Sequence, residues 1–151
     1  MKRTILALAA VVALGVASTA TAGSSTTLII RHQTHGCHAW SAGTGMPYRP
    51  AQSLKLAVGS SVTVINNDAM AHQIYQTGGP RVAIAKVAST TMDMSHEFKG
   101  MGVMGHPGAS IKIRFAKAGV YTFRTRFGED YMKMPDTIGE DNTLTLKVTV
   151  R

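Results

Sequence analysis

Apolar and polar residues alternate along much of the chain, with a period of two rather than 3.6. Leu54, Leu56 and Val58 are spaced by Lys55 and Ala57. Val62 and Val64 continue the pattern through Ile65, and Ile111, Ile113 and Phe115 are spaced by Lys112 and Arg114. Tyr121, Phe123 and Thr125 alternate with Thr122, Arg124 and Arg126, and Leu144, Leu146, Val148 and Val150 close the chain. Side chains of a strand point to opposite faces in turn, so each run reads as a strand with one face buried. Leu28 to Arg31, His72 to Gln76 and Val82 to Val87 are shorter strand candidates. Turn formers separate the runs: Gly59-Ser60, Asn66-Asn67-Asp68, Gly78-Gly79-Pro80 and Ala118-Gly119. Ser41 to Gln52 and Gly128 to Asn142 read as loops. A short helical turn is expected near Met94 to Lys99, and the glycines around it argue against anything longer. Seven to eight short strands with turns between them predict an all-β, Greek-key β-sandwich.

The first 22 residues stand apart from this pattern. Lys2 and Arg3 precede an apolar run from Ile5 to Val16, and Ala20-Thr21-Ala22 has the small-residue form of a cleavage site. The run is short for a membrane span, which takes about 20 residues. These features predict an export signal at 1–22 and one domain at 23–151, periplasmic or extracellular, with no stable membrane span once the signal is removed.

Loss of Lys2 and Arg3 with the leader takes the formal charge from +8 to +6. The basic residues are scattered, which argues against a nucleic-acid groove and leaves a surface suited to an acidic protein partner or an anionic membrane surface. The chain has one cysteine, so no disulfide can form within it. In an oxidising compartment that thiol must pair with another chain, stay free, or bind a metal.

The surroundings of the cysteine favour the metal. His32-Gln33-Thr34-His35-Gly36-Cys37-His38-Ala39-Trp40 holds three of the six histidines. Thiolate and imidazole are soft donors that suit copper or zinc. Cys37 is the first candidate ligand, against the alternative of a small buried hydrophobe. His35 and His38 compete for an imidazole position. His35 is two residues from Cys37, so an extended backbone points both the same way, while His38 needs a bend that Gly36 permits. A second group lies at residues 89–108, where Met92, Met94, Met101 and Met104 occur with His96 and His106. Thioethers select Cu(I), so this Met/His-rich insertion is a candidate copper-handling segment. Enzyme chemistry is not expected: no P-loop, dinucleotide fingerprint or H-E-x-x-H motif is present. Adjacent Cys37 and His38 are also poorly placed as a nucleophile and base.

The run Val62-Thr63-Val64-Ile65-Asn66-Asn67-Asp68-Ala69-Met70-Ala71-His72 resembles the cupredoxins, small copper proteins of the plastocyanin and azurin type. Gly119 to Phe123, the loop after it and the terminal strand look like that family's C-terminal hairpin. Pro107 to Ser110, leading into Ile111, looks like the strand before it. The resemblance spans about Leu54 to Val150. It implies a cupredoxin-like fold with a copper site at one end, and makes His72 a ligand. Met132 and Met134 fall where the family's axial methionine would lie. The family's ligand cysteine is absent: Thr125 stands at that position, and no histidine follows His106. The N-terminal His-Gly-Cys-His stretch would therefore supply the thiolate and an imidazole. The expected site is Cys37, His38 or His35, His72, and Met132 or Met134, holding copper in preference to zinc. The expected function is that of an exported single-copper one-electron carrier, meeting an acidic redox partner or a copper donor or acceptor protein. Copper tolerance, storage or delivery through the Met/His segment is the alternative, and a metal-free β-sandwich interaction module is a third.

Overall fold

The structure is a computed structural model that describes residues 23–88, 98–130 and 136–151. The export signal, Met92, Met94, His96, Met132 and Met134 lie outside the described residues, as does most of the helical turn expected near Met94 to Lys99. Ten strands are described: β1 (Ser25–Gln33), β2 (Cys37–Ser41), β3 (Ala51–Leu56), β4 (Ser61–Asn66), β5 (Met70–Gly78), β6 (Ala83–Ala88), β7 (Val103–Met104), β8 (Ser110–Arg114), β9 (Gly119–Asp130) and β10 (Thr145–Val150). No helix occurs among the described residues.

The strands form two five-stranded mixed sheets, ordered β2-β1-β4-β8-β6 and β3-β10-β9-β5-β7. β1 runs parallel to β4, and β10 parallel to β3; the other pairs are antiparallel. Most connections between successive strands cross from one sheet to the other. Alternation supplies the glue. Leu28 and Ile30, Val62 and Val64, and Ile111 and Ile113 face inward from the first sheet. Tyr121 and Phe123, and Leu146, Val148 and Val150, meet them from the second. Each large side chain buried this way contributes about 1.5–3 kcal/mol relative to leaving it in water. Phe115 packs edge-on against Tyr121 at 5.0 Å, and the Tyr121 hydroxyl donates to the Lys117 carbonyl at 2.6 Å.

The β-sandwich agrees with the expectation from periodicity. The strand count exceeds the expected seven to eight for two local reasons. Strand pairing continues past Arg31 and the chain folds back, so β1 and β2 form a hairpin with Gln33 opposite Cys37. β7 is only two residues long and is recruited by its neighbour, with Met104 opposite His72. Two residues are too few to show any period.

Candidate metal centre

Three segments distant in sequence meet at one end of the sandwich. The first is the β1–β2 hairpin. Its tip carries Gly36 at φ +72° and Cys37 at φ +56°; Cys37 is the one non-glycine residue with positive φ among the described residues. The His38 N–H donates back to the Gly36 carbonyl at 2.6 Å. A bond between residues two apart, about a residue at positive φ, is a γ-turn, a strained conformation that persists only where its surroundings enforce it. Its effect is to turn adjacent side chains inward together. Cys37 and His38 are each 1% exposed, and every residue of β2 is buried.

The second segment is the turn from β4 to β5. Asn66 organises it: its side-chain oxygen accepts from the Asp68 N–H at 2.9 Å, and its amide donates to the carbonyls of Met70 and Met104 at 2.9 and 3.0 Å. The Asn67 N–H donates to the Ile30 carbonyl, tying the turn to β1. This network carries Asp68 into the interior, where it is fully buried. The third segment is the approach to β10. Asn142 clamps the His38 backbone, donating to its carbonyl at 2.5 Å and accepting from its N–H at 3.2 Å. Ile138 pairs with the hairpin tip on both sides, through the Gly36 N–H and the Thr34 carbonyl.

Asp68 is the hub. Its Oδ2 accepts from His38 Nδ1 at 2.8 Å and from His72 Nε2 at 3.1 Å, and its Oδ1 lies 3.7 Å from His32 Nδ1. Burial alone would raise the Asp68 carboxyl, but the hydrogen bonds from His38 and His72 outweigh it and hold it well below the usual carboxylate range. An ionised carboxylate only accepts, so both imidazoles donate to it and the tautomers follow. Burial, only partly offset by Asp68, lowers the pKa of His72 and keeps it neutral. The second ring nitrogen of neutral His72, Nδ1, is then a lone-pair donor, and His38 Nε2 is likewise turned away from Asp68. Both are buried and have no hydrogen-bond partner among the described residues. The two rings meet edge to face at 4.7 Å, and Phe127 covers His38 at 4.3 Å.

Sulfur lies on the other side of His32. Cys37 Sγ is 3.8 Å from His32 Nδ1 and 3.8 Å from Met70 Sδ. Burial pushes the Cys37 thiol up to about 11, with a hydrogen bond from Thr137 pulling the other way and Asp141 adding to the rise.

His38 belongs to two sets of converging ligand atoms among the described residues, one with Cys37 and Asp141 and one with Asp68 and His72. Cys37, His38 and His72 thus share one end of the fold, and His38 links the other two. The distances sort the contacts. Ligands about 2.0–2.1 Å from a tetrahedral metal stand about 3.3 Å apart. The 2.8 and 3.1 Å contacts of Asp68 are shorter, so they are hydrogen bonds of the kind that orient metal-ligating histidines from behind. Two imidazoles backed by a carboxylate, each with an unpartnered buried nitrogen, are a donor set that fits a soft or borderline metal.

His35 is exposed, bridges to Ile138 through its backbone and lies outside both sets. Met132 and Met134 cannot be placed, being outside the described residues. His106 is buried with Nδ1 bonded to the Pro107 carbonyl. Met104 is in the core, Met101 is 54% exposed, and Trp40 is a fully buried core residue. Thr125 is buried. Sequence reasoning missed Asp68, Met70 and Asn142, and did not name His32 as a ligand. Asp68 and Met70 stood inside the quoted Asn66–His72 run, where a turn-forming Asp and a lone methionine carried no sign of pointing inward.

No family model matches the chain, and no curated protein matches it. Among solved structures it is similar to a cysteine protease inhibitor from Entamoeba histolytica, at 12% identity over 84% of this chain and 97% of that one, TM-score 0.41. It is similar to a purple cupredoxin from Nitrosopumilus maritimus, at 16% identity over 83% and 98%, TM-score 0.41. A reduced Cu(I) form of an amicyanin variant matches at 19% identity over 82% and 80%, TM-score 0.34. The first differs in function from the other two, and at these scores the likenesses carry no argument about this chain's chemistry.

Proposed function

We propose that this chain is an exported copper-binding protein of cupredoxin-like architecture that works as a single-copper one-electron carrier. The observation that carries the reading is the pair of buried imidazoles anchored on Asp68, each with an unpartnered nitrogen, beside the buried Cys37 thiol. Thiolate with imidazoles is a donor set that suits copper, with zinc as the rival ion. Cys37, His38 and His72 would hold the ion, which when bound supplies the Cu(I)/Cu(II) couple. The chain's own part is to exclude water, fix both tautomers through Asp68, and hold Cys37 by its γ-turn and by Asn142. Binding must also release the Cys37 proton, since the thiolate is the ligand. A formal charge of +6 without the leader favours an acidic redox partner.

Titration of residues 23–151 with Cu(II), followed by visible absorption, tests this. An intense thiolate-to-copper band at one equivalent, lost in Cys37→Ser, is the expected result. Binding unaltered by that substitution would move the metal elsewhere and replace the carrier by a copper-handling protein. Absence of binding would leave a metal-free β-sandwich. Preference for zinc over copper in competition would remove the redox role.

A further inference from the structure

Two further donors flank the Cys37 sulfur. Cys37 Sγ stands 3.8 Å from His32 Nδ1 and 3.8 Å from Met70 Sδ. With bonds of about 2.3 Å to sulfur and 2.0–2.1 Å to nitrogen, three ligands in a plane around one ion stand about 3.8–4.0 Å apart. The two observed separations match that spacing, so the donors could close on one ion with little movement. The Thr137 hydroxyl is 3.4 Å from His32 Nε2, and in the tautomer that donates Nε2–H to it the Nδ1 lone pair faces the sulfur.

Each donor is held in place. His32 is fixed in β1 opposite His38. Cys37 is set by its γ-turn. Met70 is gripped at both backbone ends, its N–H donating to Asp68 Oδ1 at 3.2 Å and its carbonyl accepting from the Asn66 amide at 2.9 Å. The register of β5 against β9 shifts between Met70 and His72, so the strand is bent where it delivers both residues. His32 is 4% exposed in its side chain, Cys37 is buried and Met70 is half-buried, which puts the thioether at the solvent side of the group.

We propose that His32, Cys37 and Met70 form a three-donor site for a soft monovalent cation, Cu(I) or its analogue Ag(I). The inference rests on the reading that Cys37 ligates copper, and it assigns the reduced ion to a thiolate, a thioether and one imidazole, with Met70 as the thioether donor. Thiolate and thioether are the ligands that select Cu(I). Binding is an exchange: the S–H bond of Cys37 breaks, an S–Cu bond forms, and the proton leaves to solvent, with no change of oxidation state. Asp68 then anchors the other side of the cluster, its Oδ2 accepting from His38 and His72.

The test is anaerobic Cu(I) competition against a chromophoric chelator, on residues 23–151 and the variants Met70→Leu, His32→Gln and Cys37→Ser. Wild type should bind one Cu(I). Met70→Leu and His32→Gln should each weaken it at least tenfold, and Cys37→Ser more. Cu(I) affinity unchanged in both Met70→Leu and His32→Gln overturns the site while leaving Cys37 as a ligand. Failure of wild type to bind overturns both readings. X-ray absorption at the copper edge of the Cu(I)-loaded Met132→Leu/Met134→Leu protein gives a measure independent of variant folding. Two sulfur ligands and one nitrogen are expected, and a single sulfur overturns the proposal.

Discussion

At the scale of single residues the cluster predicts how stability depends on pH in the metal-free protein. Asp68 has a folded-state pKa below its ordinary 3.8, so its contribution is present above that value and is lost as the pH falls toward it and below. His72 lies below its ordinary 6.5 because burial opposes its charge. The unfolded chain therefore takes up the proton first, and stability also drains as the pH falls below 6.5. Cys37 acts at the other end: the folded protein keeps its proton up to about 11 against an ordinary 9.0, so stability declines as the pH rises through that window. The melting temperature should pass through a plateau between about pH 6.5 and 9. Cys37→Ala should flatten the alkaline limb and leave the acid limb in place; an unchanged alkaline limb would contradict the assignment. Asp68→Ala would strand two buried N–H donors, each costing about 1–3 kcal/mol. A loss of about 2–6 kcal/mol in urea unfolding is expected, and a loss under 1 kcal/mol would mean that His38 and His72 find other partners.

At the scale of elements the hairpin tip is the part that must not relax. A β-carbon on Gly36 would lie 2.9 Å from Asn142 Oδ1, and its φ of +72° costs an L-residue about 1–2 kcal/mol. Gly36→Ala should destabilise the metal-free protein by about that much and also weaken copper binding, because Asn142 clamps His38. Urea unfolding with copper titration checks both, and wild-type values in each would show that the tip is not strained. The same tip marks where the sequence stopped being readable. Strands with one face in water, such as Ile111 to Phe115 and Tyr121 to Thr125, announce themselves by alternation. β2 does not: all five of its residues are buried, and a buried Cys-His-Ala-Trp-Ser run has no period. Donor types in the first stretch were legible from composition, and His72 from its motif. The Asp68 hub was not, since its inward direction comes from the side chain of Asn66 and from contacts with strands far along the chain. His35 and His38 could not be separated by spacing, because a γ-turn centred on Cys37 overrode the simple two-residue rule.

At the scale of the whole molecule, the donors come from β1, β2 and the start of β5, and residues 137–142 close over them. An unfolded chain does not hold these segments together, so copper should bind the native state far better than the unfolded one. A ligand of that kind stabilises by RT ln(1 + [L]/Kd), about 2.7 kcal/mol at a hundredfold excess over Kd. For a domain of this size that is on the order of 10 °C in the melting temperature. Trp40 offers the readout: it is the only tryptophan and is fully buried, so its emission should shift red when the sandwich opens. Melting followed by Trp40 emission should therefore rise by about 10 °C when Cu(I) is added under reducing conditions at that excess, and should not move in Cys37→Ser. A rise that survives the substitution would place the stabilising ion away from the hairpin. A first transition unaffected by copper, followed by a second that shifts, would mean that the metal end opens apart from the core. The hydrogen bonds tying Asn67 to Ile30 and Gly36 to Ile138 argue against that second pattern, because the site and the sandwich share their strands.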